Sequence, residues 1–147
     1  MTTPAPQPSL AELQASTEGL FPATLGIVFL AATPSLILAE LTVTRELCTM
    51  PGIMHGGALM AFADTLGAYG TSLNLPQGAG TTTLESKTNF FAAALEGTKI
   101  TGECVPLHLG RRTHVWQTNI RRADGKHVAQ ITQTQVLLQP EAAPRPQ

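Results

Sequence analysis

Between Glu46 and Glu85 only one side chain carries a formal charge, and it is Asp64. It lies nine residues after His55 in the run His55-Gly56-Gly57-Ala58-Leu59-Met60-Ala61-Phe62-Ala63-Asp64. A buried, unpaired carboxylate costs several kcal/mol unless it is hydrogen-bonded, protonated or set in a wet cleft. Asp also disfavours a helix interior, because its short side chain competes for backbone hydrogen bonds. One exposed Asp on a solvent-facing helix would be the bland account. The alternative is a pocket carboxylate, which can take a proton from water or attack an electrophile. Just upstream, Gly56 and Gly57 leave backbone amides uncovered where a helix would begin. The helix dipole gathers positive partial charge at that end. Such an amide suits a carbonyl oxygen on its way to becoming an oxyanion.

These groups need a frame to hold them. Residues 58–73 place Leu59, Phe62, Leu66, Tyr69 and Leu73 at helical spacing among Ala and Gly. The spacing predicts a helix without a polar face, buried nearly all round. Gly67 and Gly70 weaken it and allow a sheet to come close. Upstream, Ser9 and Glu12 form a capping-box pattern for a short helix, with Leu10, Leu13, Leu20 and Phe21 available to pack it. Strand-like runs follow at residues 24–32 and 35–44, parted by Thr33-Pro34. Residues 48–57 read as a Pro/Gly-punctuated loop. After the long helix the period changes to two, and residues 81–93, 98–109, 113–122 and 127–138 are expected as four strands in a meander. Asp124-Gly125 marks the last hairpin. The order predicts an α+β fold with a long helix inside a curved antiparallel sheet.

The whole chain sets further limits. Its 147 residues suit one core, and residues 1–8 and 139–147, rich in Pro, Ala and Gln, are expected to be disordered extensions of a domain over 9–138. Charged residues make up 13%, well below the usual quarter, which points to a surface partly covered by other subunits. A net charge of −1 offers no field for nucleic acid. No stretch reads as a secretory signal or a membrane span, so a cytoplasmic protein is expected. Cys48 and Cys104 lack metal or disulfide spacing and are read as reduced, packed thiols, and no metal or resident cofactor is expected.

The run from His55 to Asp64 closely resembles the signature of hotdog-fold acyl-CoA thioesterases, in particular the phenylacetate-pathway and 4-hydroxybenzoyl-CoA groups. Residues 81–91 (TTTLESKTNFF) are similar to the strand that follows the helix in those enzymes. Gly110-Arg111-Arg112-Thr113, Asp124-Gly125-Lys126 and Val128-Ala129 are similar to their closing hairpins. The likeness spans roughly residues 20–138. It implies a sheet wrapped around the helix, with two protomers joined edge to edge and acyl-CoA bound between them. It also implies active sites shared by both chains, and dimers that pair again into a homotetramer.

The resemblance further implies roles. The Gly56 amide polarises the thioester carbonyl. Asp64, from the opposite protomer, is general base or direct nucleophile; both remain open. His55 orients the thioester or the loop. Thr83 holds the water, with Thr81 and Thr82 as rivals should the strand register slip by one. Thr49 stands where many relatives carry Asn or Gln. Gly57, Thr82, Asn89 and Phe90 are candidate substrate contacts. Gly110, Arg111, Arg112 and Thr113 are candidates for the CoA phosphates, since guanidinium groups pair well with phosphate oxygens. The implied substrate is an aromatic or medium-chain acyl-CoA. Two alternatives stand beside this reading: a hydratase or dehydratase on the same fold, and a module that senses acyl-CoA without turnover.

Overall fold

The computed structural model describes residues 6–140. Of the extensions expected over 1–8 and 139–147, residues 1–5 and 141–147 lie outside the described residues. Residues 6–8 are described, and Gln7 Nε2 donates to Leu73 O at 3.0 Å.

Helix α1 (Leu10–Ala15) starts as its capping pattern requires: Ser9 Oγ accepts from the Glu12 amide at 3.2 Å, and the Glu12 carboxylate accepts from the Ser9 amide at 2.8 Å. Leu13 alone of its expected anchors is buried; Leu10, Leu20 and Phe21 remain exposed. A second short helix, α2 (Phe21–Leu25), takes the residues with which the first expected strand was to begin. Pro22 pre-sets its first turn, and Gly26, with φ of 77°, ends it. Strand β1 (Val28–Thr33) is therefore shorter than its apolar run, and β2 (Leu36–Thr42) follows. The expected loop at 48–57 contains a 3-10 turn's exit and a small ribbon of β3 (Cys48–Thr49) and β4 (Ile53–Met54), which aims the chain into α3 (Gly56–Ser72).

Strands β5 (Gly80–Phe90), β6 (Lys99–Leu109), β7 (Thr113–Arg122) and β8 (His127–Leu138) complete a six-stranded antiparallel sheet ordered β1-β2-β6-β7-β8-β5. The expected four-strand meander holds only from β6 to β8. β5 instead pairs with β8, and β6 with β2, so β5 forms an outer edge. The β5–β6 connection crosses the fold, pinned by Met54 N–H to Ala94 O at 2.8 Å and Gly97 N–H to Val43 O at 2.7 Å. β5 also ends at Phe90, three residues before its expected limit.

The sheet curls around α3 by close contact rather than through long side chains. A Cβ on Gly67 would fall 2.4 Å from the Gln133 amide, and one on Gly70 would fall 2.8 Å from the Trp116 ring. Phe62, Ala63 and Leu66 of α3 meet Ile37, Ala39, Leu41, Ile100, Ile120 and Ile131 in a fully dry core. The expected all-round burial of α3 is found on this face only. Met60, Asp64, Thr65 and Ala68 on its other flank stay half-buried in the single chain. The long helix inside its wrapped sheet otherwise matches the α+β architecture expected from the sequence.

Candidate active site

Asp64 sits on the half-buried flank of α3, facing β5. Thr83 Oγ1 donates to Asp64 Oδ1 at 2.6 Å, so of the three adjacent threonines Thr83 meets the carboxylate. The register explains the choice. Thr81 and Thr83 point to the helix side of the sheet, where Thr83 faces Gln135, and Thr82 points to the opposite, exposed side. A bulge between Thr83 and Glu85 then shifts the alternation, bringing Ser86 and Thr88 onto the helix side.

Two residues with no role foreseen complete this cluster. Gln133 Nε2 approaches Asp64 O at 3.2 Å and Asp64 Oδ1 at 3.4 Å, and Gln135 Nε2 donates to Thr83 Oγ1 at 2.7 Å. Both glutamines are fully buried. Their signal in the sequence was the alternation Ile131-Thr-Gln133-Thr-Gln135, which puts two amides on the phase set by buried Ile131.

At the other end of β5 the first turn of α3 is built for an exposed amide. His55 is the N-cap; its Nδ1 accepts from the Gly57 amide at 2.8 Å. An accepting Nδ1 leaves the proton of the neutral ring on Nε2. The Gly56 amide, first of the helix, has no intrahelical acceptor by construction. The Phe90 ring lies against it, 3.1 Å from where a Gly56 Cβ would stand, so a side chain there would have to push this half-exposed ring aside. An apolar cleft of about 310 Å³ opens beside the same turn, lined by Phe21, Leu25, Leu47, Cys48, His55 and Ala58, among others.

Other candidates lie apart. Thr49 is exposed in β3, in a separate cleft with Met50 and Glu96. Asn89 points to the sheet face away from α3, where its Oδ1 accepts from Lys87 Nζ at 2.6 Å. Arg111 and Arg112 are exposed in the β6–β7 turn, which Gly110 tightens by donating to Thr113 O at 2.9 Å. That turn adjoins the C-terminal end of α3, the end opposite Gly56. Among the described residues no group of three or more His, Cys, Asp and Glu converges as metal ligands would. Cys48 and Cys104 are both free, and burial pushes the Cys104 thiol up to about 12.

A family model described as the thioesterase superfamily matches residues 51–129, from just before His55 through the helix and sheet to Ala129. The chain belongs to the thioesterase superfamily. The proofreading thioesterase EntH of Klebsiella pneumoniae is 34% identical over 118 residues, covering 80% of this chain and 85% of that protein. A thioesterase from Haemophilus influenzae superposes with a TM-score of 0.88 at 26% identity, over 99% of this chain and 100% of that one. A hypothetical thioesterase from Streptococcus pneumoniae, crystallised with coenzyme A, shares the fold with a TM-score of 0.71 at 22% identity, over 79% of this chain and 88% of that one. The protein is thus a hotdog-fold thioester hydrolase. In this thioesterase the lone helix carboxylate, its threonine and the uncovered glycine amide all fall within the stretch that the family model matches.

Proposed function

We propose that this thioesterase hydrolyses an acyl-CoA of aromatic or medium-chain type, using Asp64 against the thioester carbon and the Gly56 amide against its oxygen. The observation that carries the reading is the 2.6 Å bond from Thr83 to Asp64, on a helix with no other charged side chain. Folding has retained one half-buried carboxylate there and supplied it with its own donor. A thioester carbonyl is already electrophilic. Its hydrolysis therefore needs a held oxygen, an activated water and a positioned acyl group. The Gly56 N–H donates to the carbonyl oxygen as charge develops there, a contribution of about 3–4 kcal/mol for amides of this kind. Asp64 then takes a proton from water while the water oxygen bonds to the carbonyl carbon. Alternatively, its own oxygen attacks to give a mixed anhydride that water opens. In both routes the C–S bond breaks and the sulfur leaves as CoA thiolate, which is protonated.

Helix geometry favours a site shared by two chains. Gly56 and Asp64 are eight residues apart, about 12 Å along one helix axis. One thioester group cannot touch both within a single protomer. The free edge of β5, with Leu84, Phe90 and Phe91 exposed, suits antiparallel pairing with a second copy. Such pairing brings the partner's Asp64, and the arginine turn beyond it, toward this chain's Gly56. Arg111 and Arg112 of the second copy are then placed for the CoA phosphates, and Phe90 for the acyl thioester. Pairing of two dimers into a tetramer would cover other exposed apolar residues such as Leu30 and Leu107. No observation favours the hydratase or sensor alternatives. Coenzyme A seen on a structural relative is in keeping with the proposed substrate class.

The test is release of free thiol from benzoyl-, 4-hydroxybenzoyl-, phenylacetyl-, hexanoyl- and palmitoyl-CoA. Turnover of the aryl or hexanoyl substrates, with palmitoyl-CoA poorest, is expected. No thiol from any member would overturn the acyl-CoA assignment.

A further inference from the structure

We infer that Gln135 is a positioning residue that steers the Thr83 proton onto Asp64 Oδ1, leaving Oδ2 as the oxygen that reacts. The inference rests on the proposed role of Asp64 and extends it to a strand assigned no part in the reaction.

A threonine hydroxyl has one proton to give and must choose its acceptor. Gln135 Nε2 donates to Thr83 Oγ1 at 2.7 Å, filling an acceptor site of that oxygen. The Thr83 proton is thereby turned outward, where Asp64 Oδ1 lies at 2.6 Å. Gln135 can do this only with its nitrogen, not its oxygen, toward Thr83. Thr81 agrees with that orientation: its Oγ1 lies 3.0 Å from Gln135 Oε1 and can donate to it or to Val136 O, also at 3.0 Å. Were the amide reversed, its oxygen would face the Thr83 oxygen and compete for the proton that Asp64 receives. Gln135 is fully buried, so water does not substitute for either contact.

The consequence at Asp64 is asymmetry. Oδ1 receives Thr83 and, at 3.4 Å, Gln133. Among the described residues no side chain donates to Oδ2. A carboxylate with one oxygen tied down keeps a fixed plane, and its second oxygen is left free of side-chain donors to meet water or the thioester carbon. Gln135 touches neither substrate nor Asp64, so its effect must pass through Thr83.

That dependence gives the test. Gln135→Met keeps the shape and removes both polar contacts; Thr81 retains Val136 O at 3.0 Å, so the fold keeps its bonds there. On the most active acyl-CoA, Gln135→Met is expected to lower kcat about tenfold, the upper end for one net hydrogen bond between neutral groups, with KM little changed. In a Thr83→Val background the same substitution should lower kcat no further. In Thr83→Ser, which keeps the hydroxyl, the loss should reappear. Should Gln135→Met fail to fold, Thr81→Val releases the same amide from a half-buried strand end and should show a smaller loss with the same dependence on Thr83. An equal loss with and without the Thr83 hydroxyl, or a folded Gln135→Met enzyme with unchanged kcat, would overturn the inference. An inactive wild type would instead sink the reading of the site on which it rests.

Discussion

At the residue scale, Asp64 is held by groups of very different weight. Thr83 makes the short bond, so Thr83→Val should lower kcat by about tenfold or more and, by stranding the buried Gln135 Nε2, cost about 1–3 kcal/mol of stability. Steady-state kinetics reads the first loss and a thermal melt the second, and an unchanged kcat would remove Thr83 from the machinery. His55 is built differently. Its Nδ1 is committed to the Gly57 amide, so the ring acts first as an N-cap. His55→Asn, which keeps a capping acceptor, should therefore retain more stability than His55→Ala, by about 1 kcal/mol. Asp64 and Gly56 were legible in the sequence because one charge stands alone and two glycines precede a helix. Thr83 was legible only as one of three neighbours, since strand register decides which hydroxyl faces inward. Gln133 and Gln135 were missed because polar residues in a strand read as its solvent face. Here they occupy the buried phase, and only the fold shows what they bond.

At the scale of elements, α3 was readable because Leu59, Phe62, Leu66, Tyr69 and Leu73 recur at helical spacing among Ala and Gly, which signal close packing. The contacts show the reason for two of the glycines. Gly67→Ala would drive a methyl group into the Gln133 amide, 2.4 Å away. We expect a net loss of about 1–3 kcal/mol despite the better helix propensity of Ala, with kcat falling as Gln133 is pushed from Asp64. Chemical denaturation and kinetics on one preparation would show the two losses together. At the far end of α3, Trp116 Nε1 donates to Thr71 Oγ1 at 2.8 Å, both residues being fully buried. Thr71→Val should cost about 1–3 kcal/mol by stranding the indole N–H, and should leave kcat alone. What the sequence concealed were relations between elements. A run of apolar residues did not reveal that Pro22 and Gly26 would carve α2 out of its front. Strand periodicity carries no record of pairing partner, so β5 was expected beside β6 and lies instead beyond β8. Bulges next to Leu30, Leu84 and Leu107 break the period that would have marked each face.

The whole molecule adds two expectations. Burial pushes the His114 imidazole below its ordinary value, with His108 nearby acting in the same direction and the Gly110 backbone opposing them. Its ring also lies 3.3 Å from the Thr71 hydroxyl. The folded protein then holds this histidine neutral at a pH where the unfolded chain, with an ordinary value of about 6.5, takes up a proton. Stability is therefore full above that value, falls as pH drops toward the lower folded value, and levels below it. Melting temperature should decline from pH 8 to pH 5.5, and His114→Gln should flatten that slope. The second expectation concerns assembly. Leu84 lies exposed at the bulge of β5, on the edge proposed to pair with a second copy. Leu84→Asp replaces an exposed apolar side chain on that edge with a charge and should shift the protein toward monomer, with activity lost in parallel. Sedimentation and assays over the same dilution series would reveal full activity in a monomer, if the shared site is wrong.

The most direct measurement is kcat/KM of Asp64→Asn on the best acyl-CoA, beside its melting curve. A folded variant that loses at least about a hundredfold is the predicted result, as expected for removal of a base or nucleophile. A folded variant with wild-type turnover would contradict the account at its centre and send the search to another carboxylate.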